Sequence, residues 1–127
     1  MKKRTAKKEG VKYDTGKADV SLIPFEVLEE CAEVLMHGAR IYGRYNWQNG
    51  LEYTRLSAAC DRHHKKFMDK HQTLDLEEDC KGCKQPKCDK HSKRHHLAAA
   101  IVNLMFMLSY ELNGQKHLDN RRPKFKK

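Results

Sequence analysis

Three stretches of the chain carry apolar residues at helical spacing, and none alternates convincingly as a strand would. Between Phe25 and Tyr42, Val27, Cys31, Val34, Leu35 and Met36 recur on a helical period. Pro24 sets φ for the first turn, and Gly43 is a natural stop. Leu56, Ala59, Cys60, His63 and Phe67 form one stripe of a second helix, which Thr54 can cap and which ends about Lys70. A third helix over about 93–113, with Ser92 as cap and Gly114 beyond its end, is apolar nearly all round and so reads as central. Turn chemistry fills the gaps: Gly16 in a polar loop before the first helix, and Asn49-Gly50 before the second.

These elements predict an all-α fold, a small bundle of three main helices with a Cys/His-rich loop and basic tails, completed by self-association. One helical domain is expected over 11–114, with a loop at 80–91 inserted into it and tails at 1–10 and 115–127. With 127 residues a second folding unit is not expected. The longest apolar stretch, Leu97 to Leu108, is interrupted by Asn103 and is shorter than the roughly 20 residues a bilayer needs, which argues against a membrane role. Basic residues at the N-terminus are not followed by an apolar region, so a cytoplasmic protein is expected.

The formal net charge of +9 suggests a nucleic-acid partner until its distribution is read. Lys2, Lys3, Arg4, Lys7 and Lys8 cluster at one end, and Arg121, Arg122, Lys124, Lys126 and Lys127 at the other. Setting those ten aside from 26 basic residues leaves the body at −1 against its 17 acidic residues. Weak, salt-dependent contact with nucleic acid through the tails is the most this pattern implies.

Five cysteines are an odd set for a disulfide framework. Cys31 and Cys60 lie in apolar-periodic segments and read as small buried hydrophobes. Cys80, Cys83 and Cys88 with His91 form a compact Cys-x₂-Cys-x₄-Cys-x₂-His set, and thiolates of this kind favour a structural Zn²⁺. His95 or His96 can stand in for His91 as the fourth ligand, and the alternative to zinc is an incidental Cys- and Lys-rich loop.

Glu26, Glu29, Glu30 and Glu33 make one acidic stripe on the first helix, facing away from its apolar side. Such a stripe is either a solvated face or a row of hard oxygen ligands for Mg²⁺, Mn²⁺ or Co²⁺. Asp75, Glu77, Glu78 and Asp79 form a second acidic cluster. His63 points inward, either as a satisfied core histidine or as a working one, and Arg62 beside it suits a phosphate fork. His96, Asn103 and Tyr110 make one polar line along the third helix. A buried amide must be hydrogen-bonded, so Asn103 serves either a neighbouring helix or a site.

In order along the chain stand Lys12-Tyr13-Asp14-Thr15-Gly16-Lys17, Leu22-Ile23-Pro24, Leu28-Glu29-Glu30-Cys31-Ala32, Gly38-Ala39-Arg40-Ile41-Tyr42-Gly43, Asn46-Trp47, Arg62-His63, Asp75-Leu76-Glu77 and His96-Leu97-Ala98-Ala99-Ala100. This ordered set, over about residues 11–110, resembles the phage dATP/dGTP diphosphohydrolase N-terminal domain family, akin in mechanism to MazG-like all-α nucleotide pyrophosphohydrolases. Ile41 stands where such sequences usually carry a lysine, and the Cys80–His91 loop reads as an insertion. The resemblance implies a phage enzyme of the host cytoplasm that hydrolyses a deoxypurine triphosphate, dATP or dGTP, to monophosphate and pyrophosphate. On that reading Glu30, Glu33, Asp75 and Glu77 hold the catalytic metal. Lys17, Arg62 and His63 contact phosphates, Trp47 stacks the base, and His96 and Asn103 complete the site of a homo-oligomer. The competing class is a zinc-stabilised accessory protein that binds nucleic acid through its tails.

Overall fold

The computed structural model describes residues 10–73 and 94–123. Among them the elements are α1 (Phe25–Tyr42), α2 (Tyr53–Met68) and α3 (His96–Leu112), with short 3₁₀ turns at Val20–Leu22, Asn46–Asn49 and Lys116–Leu118. These residues contain no strand ladder, and none of their helices is long and apolar enough to cross a membrane. α3 packs against both α1 and α2, as its apolar circumference predicts.

The helix ends differ from the sequence expectation in instructive ways. Pro24 is the N-cap of α1 rather than its first helical residue, and Gly43 ends the helix at φ 96°. Thr54 does not cap α2, which begins at Tyr53 with Glu52 preceding it. The Thr54 amide is instead satisfied from 66 residues away, donating to Asn120 Oδ1 at 3.0 Å. Asn120 Nδ2 donates to Glu52 Oε2 at 2.9 Å and to Thr54 Oγ1 at 2.8 Å. A tertiary clasp thus answers one of the orphan amides that a local cap would otherwise take. α3 starts three residues later than expected, and its cap is His95, whose Nδ1 accepts from the Leu97 amide at 3.0 Å. Ser92, the expected cap, lies outside the described residues.

The core has two parts. One gathers Tyr53, Leu56, Tyr110 and Leu118, with Trp47, Leu51, Phe106 and Met107 packed on them. Leu118 belongs to the segment expected as a free basic tail, yet it is buried, and its turn folds residues 115–118 back under α2. An ideal Cβ at Gly50, at φ 106°, would lie 2.8 Å from Leu118 Cδ2, so this turn needs glycine on both counts. The other part is thinner: Cys31, Ala98 and Val102, with Val34, Leu35 and Phe106. Of the apolar stripe expected on α1 only Cys31 is buried, while Val27 is 36% and Met36 49% exposed. On α3, Ile101, Leu104, Met105, Leu108 and Leu112 remain exposed, so the helix is central on part of its circumference only.

Candidate functional site

A cleft of about 480 Å³ opens where the C-terminal half of α1, the turn after it, α2 and α3 meet. Its apolar floor comes from Val34, Leu35, Leu51, Ala99, Val102 and Phe106. Trp47 stands in its wall, stacked on Phe106 with centroids 5.0 Å apart and planes 12° from parallel. The Trp47 carbonyl accepts a hydrogen bond from the Tyr110 hydroxyl, a group with no exposed surface. Two elements therefore fix the indole: an aromatic stack beneath the ring and a buried phenol on its backbone.

The polar lining is cationic. Arg44, Arg55 and Arg94 reach the cleft together with His37 and His63, and no carboxylate lines it among the described residues. Arg94 is 3% exposed and its Nη1 lies 2.9 Å from His37 Nδ1, a donor position that makes this imidazole nitrogen the acceptor. His63 Nδ1 is 2.9 Å from Nδ1 of His96, so one ring donates and the other accepts. His96 is 1% exposed and does not line the cleft; it stands behind His63 and fixes its ring.

Asn103 lines the cleft, and its Nδ2 donates to the Ala99 carbonyl at 2.8 Å. Because a carbonyl only accepts, this bond sets the orientation of the amide and leaves Oδ1 as its acceptor end. The polar line of α3 is thus spent on three different partners: His63 on α2, a carbonyl of α3 itself, and the Trp47 backbone.

Of the residues expected at a site, Trp47, His63 and Asn103 come together in the cleft. Arg62 lines a neighbouring cavity that shares Leu51, Arg55 and Asn103 with the cleft. Glu30 and Glu33 are exposed with Glu26 and Glu29, and none of the four lines either cavity. Lys17 lies in an exposed turn closed by its amide on the Asp14 carbonyl at 3.0 Å, away from both cavities. Asp75, Glu77, Cys80, Cys83, Cys88 and His91 lie outside the described residues, among which no group of three or more His, Cys, Asp or Glu is placed to hold a metal. The sequence reading missed His37, Arg44, Arg55 and Arg94. Arg55 carried a usable signal, being two turns before Arg62 on one face of α2; Arg94 and His37 are 57 residues apart and carried none.

Burial raises the thiol pKa of Cys31, with a smaller push from Glu30, and likewise that of Cys60, with Asp61 adding to it. The Tyr110 phenol is raised by burial as well. Both thiols are neutral at physiological pH and act as packing groups.

The described residues thus form an aromatic-walled cleft with a cationic lining between three helices. The chain belongs to the family described as dATP/dGTP diphosphohydrolase, N-terminal, which matches it over residues 7–121. It is 40% identical over 113 residues to a dATP/dGTP diphosphohydrolase of Salmonella phage PMBT28, an alignment covering 89% of this chain and 33% of that protein. The chain thus spans about a third of the length of this relative. No solved structure matches it.

Proposed function

We propose that the protein hydrolyses dATP or dGTP to the monophosphate and pyrophosphate with a divalent cation, and that the cleft holds the nucleoside. The observation carrying this reading is the lining itself: Trp47, an oriented Asn103 and the arginines Arg44 and Arg55, in a chain of this family. Trp47 offers the base the ring face not taken by Phe106. Asn103 Oδ1 accepts from an amino or ring N–H group of a purine. His63, steadied by His96, contacts a phosphate at the cleft, and Arg62 contacts one in the neighbouring cavity. Phosphoryl transfer of this kind is achieved mostly by positioning and charge stabilisation, which this residue set supplies.

Glu30 and Glu33 fit a hard cation by donor type, exposed carboxylates on one face of α1, and with Asp75 and Glu77 they would hold Mg²⁺, Mn²⁺ or Co²⁺. When bound, the cation supplies charge neutralisation and an activated water. Cys80, Cys83, Cys88 and His91 would hold a separate structural Zn²⁺. Since the acidic stripe lies outside the cleft of its own chain, the reading includes a homo-oligomer in which the helices of two copies share each site. The exposed apolar residues Ile101, Met105, Leu108 and Leu112 follow a 4-3-4 spacing along α3, the seam of a helix pairing, and are the surface for that contact.

The test is turnover of each deoxynucleoside triphosphate with Mg²⁺, Mn²⁺ or Co²⁺, products resolved as monophosphate and pyrophosphate. Wild-type protein should release pyrophosphate from dATP or dGTP, and Glu30→Gln should abolish release while leaving the circular dichroism spectrum unchanged. Full turnover by Glu30→Gln would return the stripe to a solvated face.

A further inference from the structure

A second cavity of about 410 Å³ lies along α2 beyond the cleft, and the two share Leu51, Arg55 and Asn103. Ala58 and Ala59 contribute small side chains to its lining, and Thr54 and Leu56 also face it from α2. Arg55 and Arg62 both line it, seven residues apart on one face, which puts them about 10 Å apart along the helix axis at roughly 1.5 Å per residue. Neither guanidinium makes an ion pair or hydrogen bond with another described residue, and no described carboxylate lines either cavity. Two forked cations in adjoining cavities, with no carboxylate among the described lining residues, match a chain of phosphates.

We infer that this second cavity is an oligophosphate subsite, and that it sets the direction of the substrate. The nucleoside occupies the Trp47 cleft, the phosphate nearest the sugar lies over Arg55 where the two cavities join, and the terminal phosphates extend along α2 to Arg62. Arg55 lines both cavities, so it meets any phosphorylated ligand; Arg62 lines the outer one alone, so it meets only a ligand long enough to reach it. This inference deepens the nucleotide reading above, on which its assignment of the cleft rests.

The experiment is equilibrium binding of dAMP, dADP, dATP and inorganic tripolyphosphate to wild-type protein, Arg55→Gln and Arg62→Gln. Both arginines are exposed, and glutamine keeps most of their aliphatic length on the helix. Loss of one charged hydrogen-bond partner corresponds to about a tenfold fall in affinity or more. Arg62→Gln should show that loss for dATP and tripolyphosphate with dAMP binding unchanged, whereas Arg55→Gln should weaken all four ligands. Equal dATP affinity in Arg62→Gln and wild type, or an equal loss for dAMP and dATP, would overturn the subsite while leaving the nucleotide reading in place. Tripolyphosphate binding that depends on Arg62, without any dATP binding, would uphold the subsite and remove the nucleotide from the cleft. A protein that binds none of the four ligands would remove both.

Discussion

The two parts of the core are fastened by different means. Around Trp47, distant segments converge: Tyr110 bonds the Trp47 carbonyl, Leu118 fills the space at Gly50, and Asn120 ties back to Glu52 and Thr54. Tyr53 adds a bond from its hydroxyl to Glu111 Oε2 at 3.0 Å and stacks at 6.4 Å on Tyr110. Along α1 there is one buried side chain, Cys31, against Ala98 and Val102, and much of the apolar surface of the helix faces outward. The first region is complete within one chain. The second leaves apolar side chains exposed on the helix that also carries the acidic stripe.

This contrast makes graded predictions for stability. Leu118→Ala should cost the most, about 2–4 kcal/mol, because it empties a filled site closed in by Tyr53, Leu56 and Tyr110. Tyr110→Phe should cost about 0.5–1.5 kcal/mol, the worth of one hydrogen bond, since the Trp47 carbonyl keeps the Gly50 amide at 3.1 Å. Val27→Ala on α1 should stay at about 0.5 kcal/mol or less, as for a surface change. Urea unfolding midpoints give this ranking directly. If Val27→Ala proved as costly as Leu118→Ala, the α1 face would already be covered in solution, and the contrast would belong to the isolated chain alone.

The smallest expected effect is the alkaline limit. The thiols of Cys31 and Cys60 and the phenols of Tyr53 and Tyr110 all have raised pKa values, chiefly from burial. Folding therefore keeps these groups neutral at a pH where the unfolded chain has begun to lose their protons. Their contribution is fully present below the unfolded values, about 8.5 for a thiol and 10 for a phenol, and falls away above them. Melting temperature should be level up to about pH 8 and decline beyond it, and replacing both cysteines with alanine should flatten the first part of that decline. An unaltered slope in the double variant would show that the thiols are not shielded as described.

Much of the helical frame was legible in the chain, because period and stop signals act locally. α1 spans Phe25–Tyr42 as its pattern predicts, and Gly43 and Gly114 adopt positive φ at the expected stops. What stayed hidden depends on partners far along the chain. Thr54 reads as a cap, but Asn120 supplies that bond; Leu118 reads as tail, but its neighbours at Gly50 and Tyr53 make it core. The candidate site divides in the same way. Trp47, His63 and Asn103 were visible as an aromatic in a turn and two polar interruptions of apolar stripes. Arg94 was not, because its pairing with His37 comes from the packing of α1 beside the start of α3 rather than from any spacing.

Trp47, the single tryptophan of the chain, lies in the cleft proposed to receive the nucleoside and reports on its occupancy. Titrating the protein with dATP or dGTP in the presence of Mg²⁺ should change the indole emission in a saturable way, with a midpoint that follows the concentration dependence of pyrophosphate release. Saturable turnover with an emission spectrum that stays constant throughout the titration would place the nucleoside elsewhere and contradict the account.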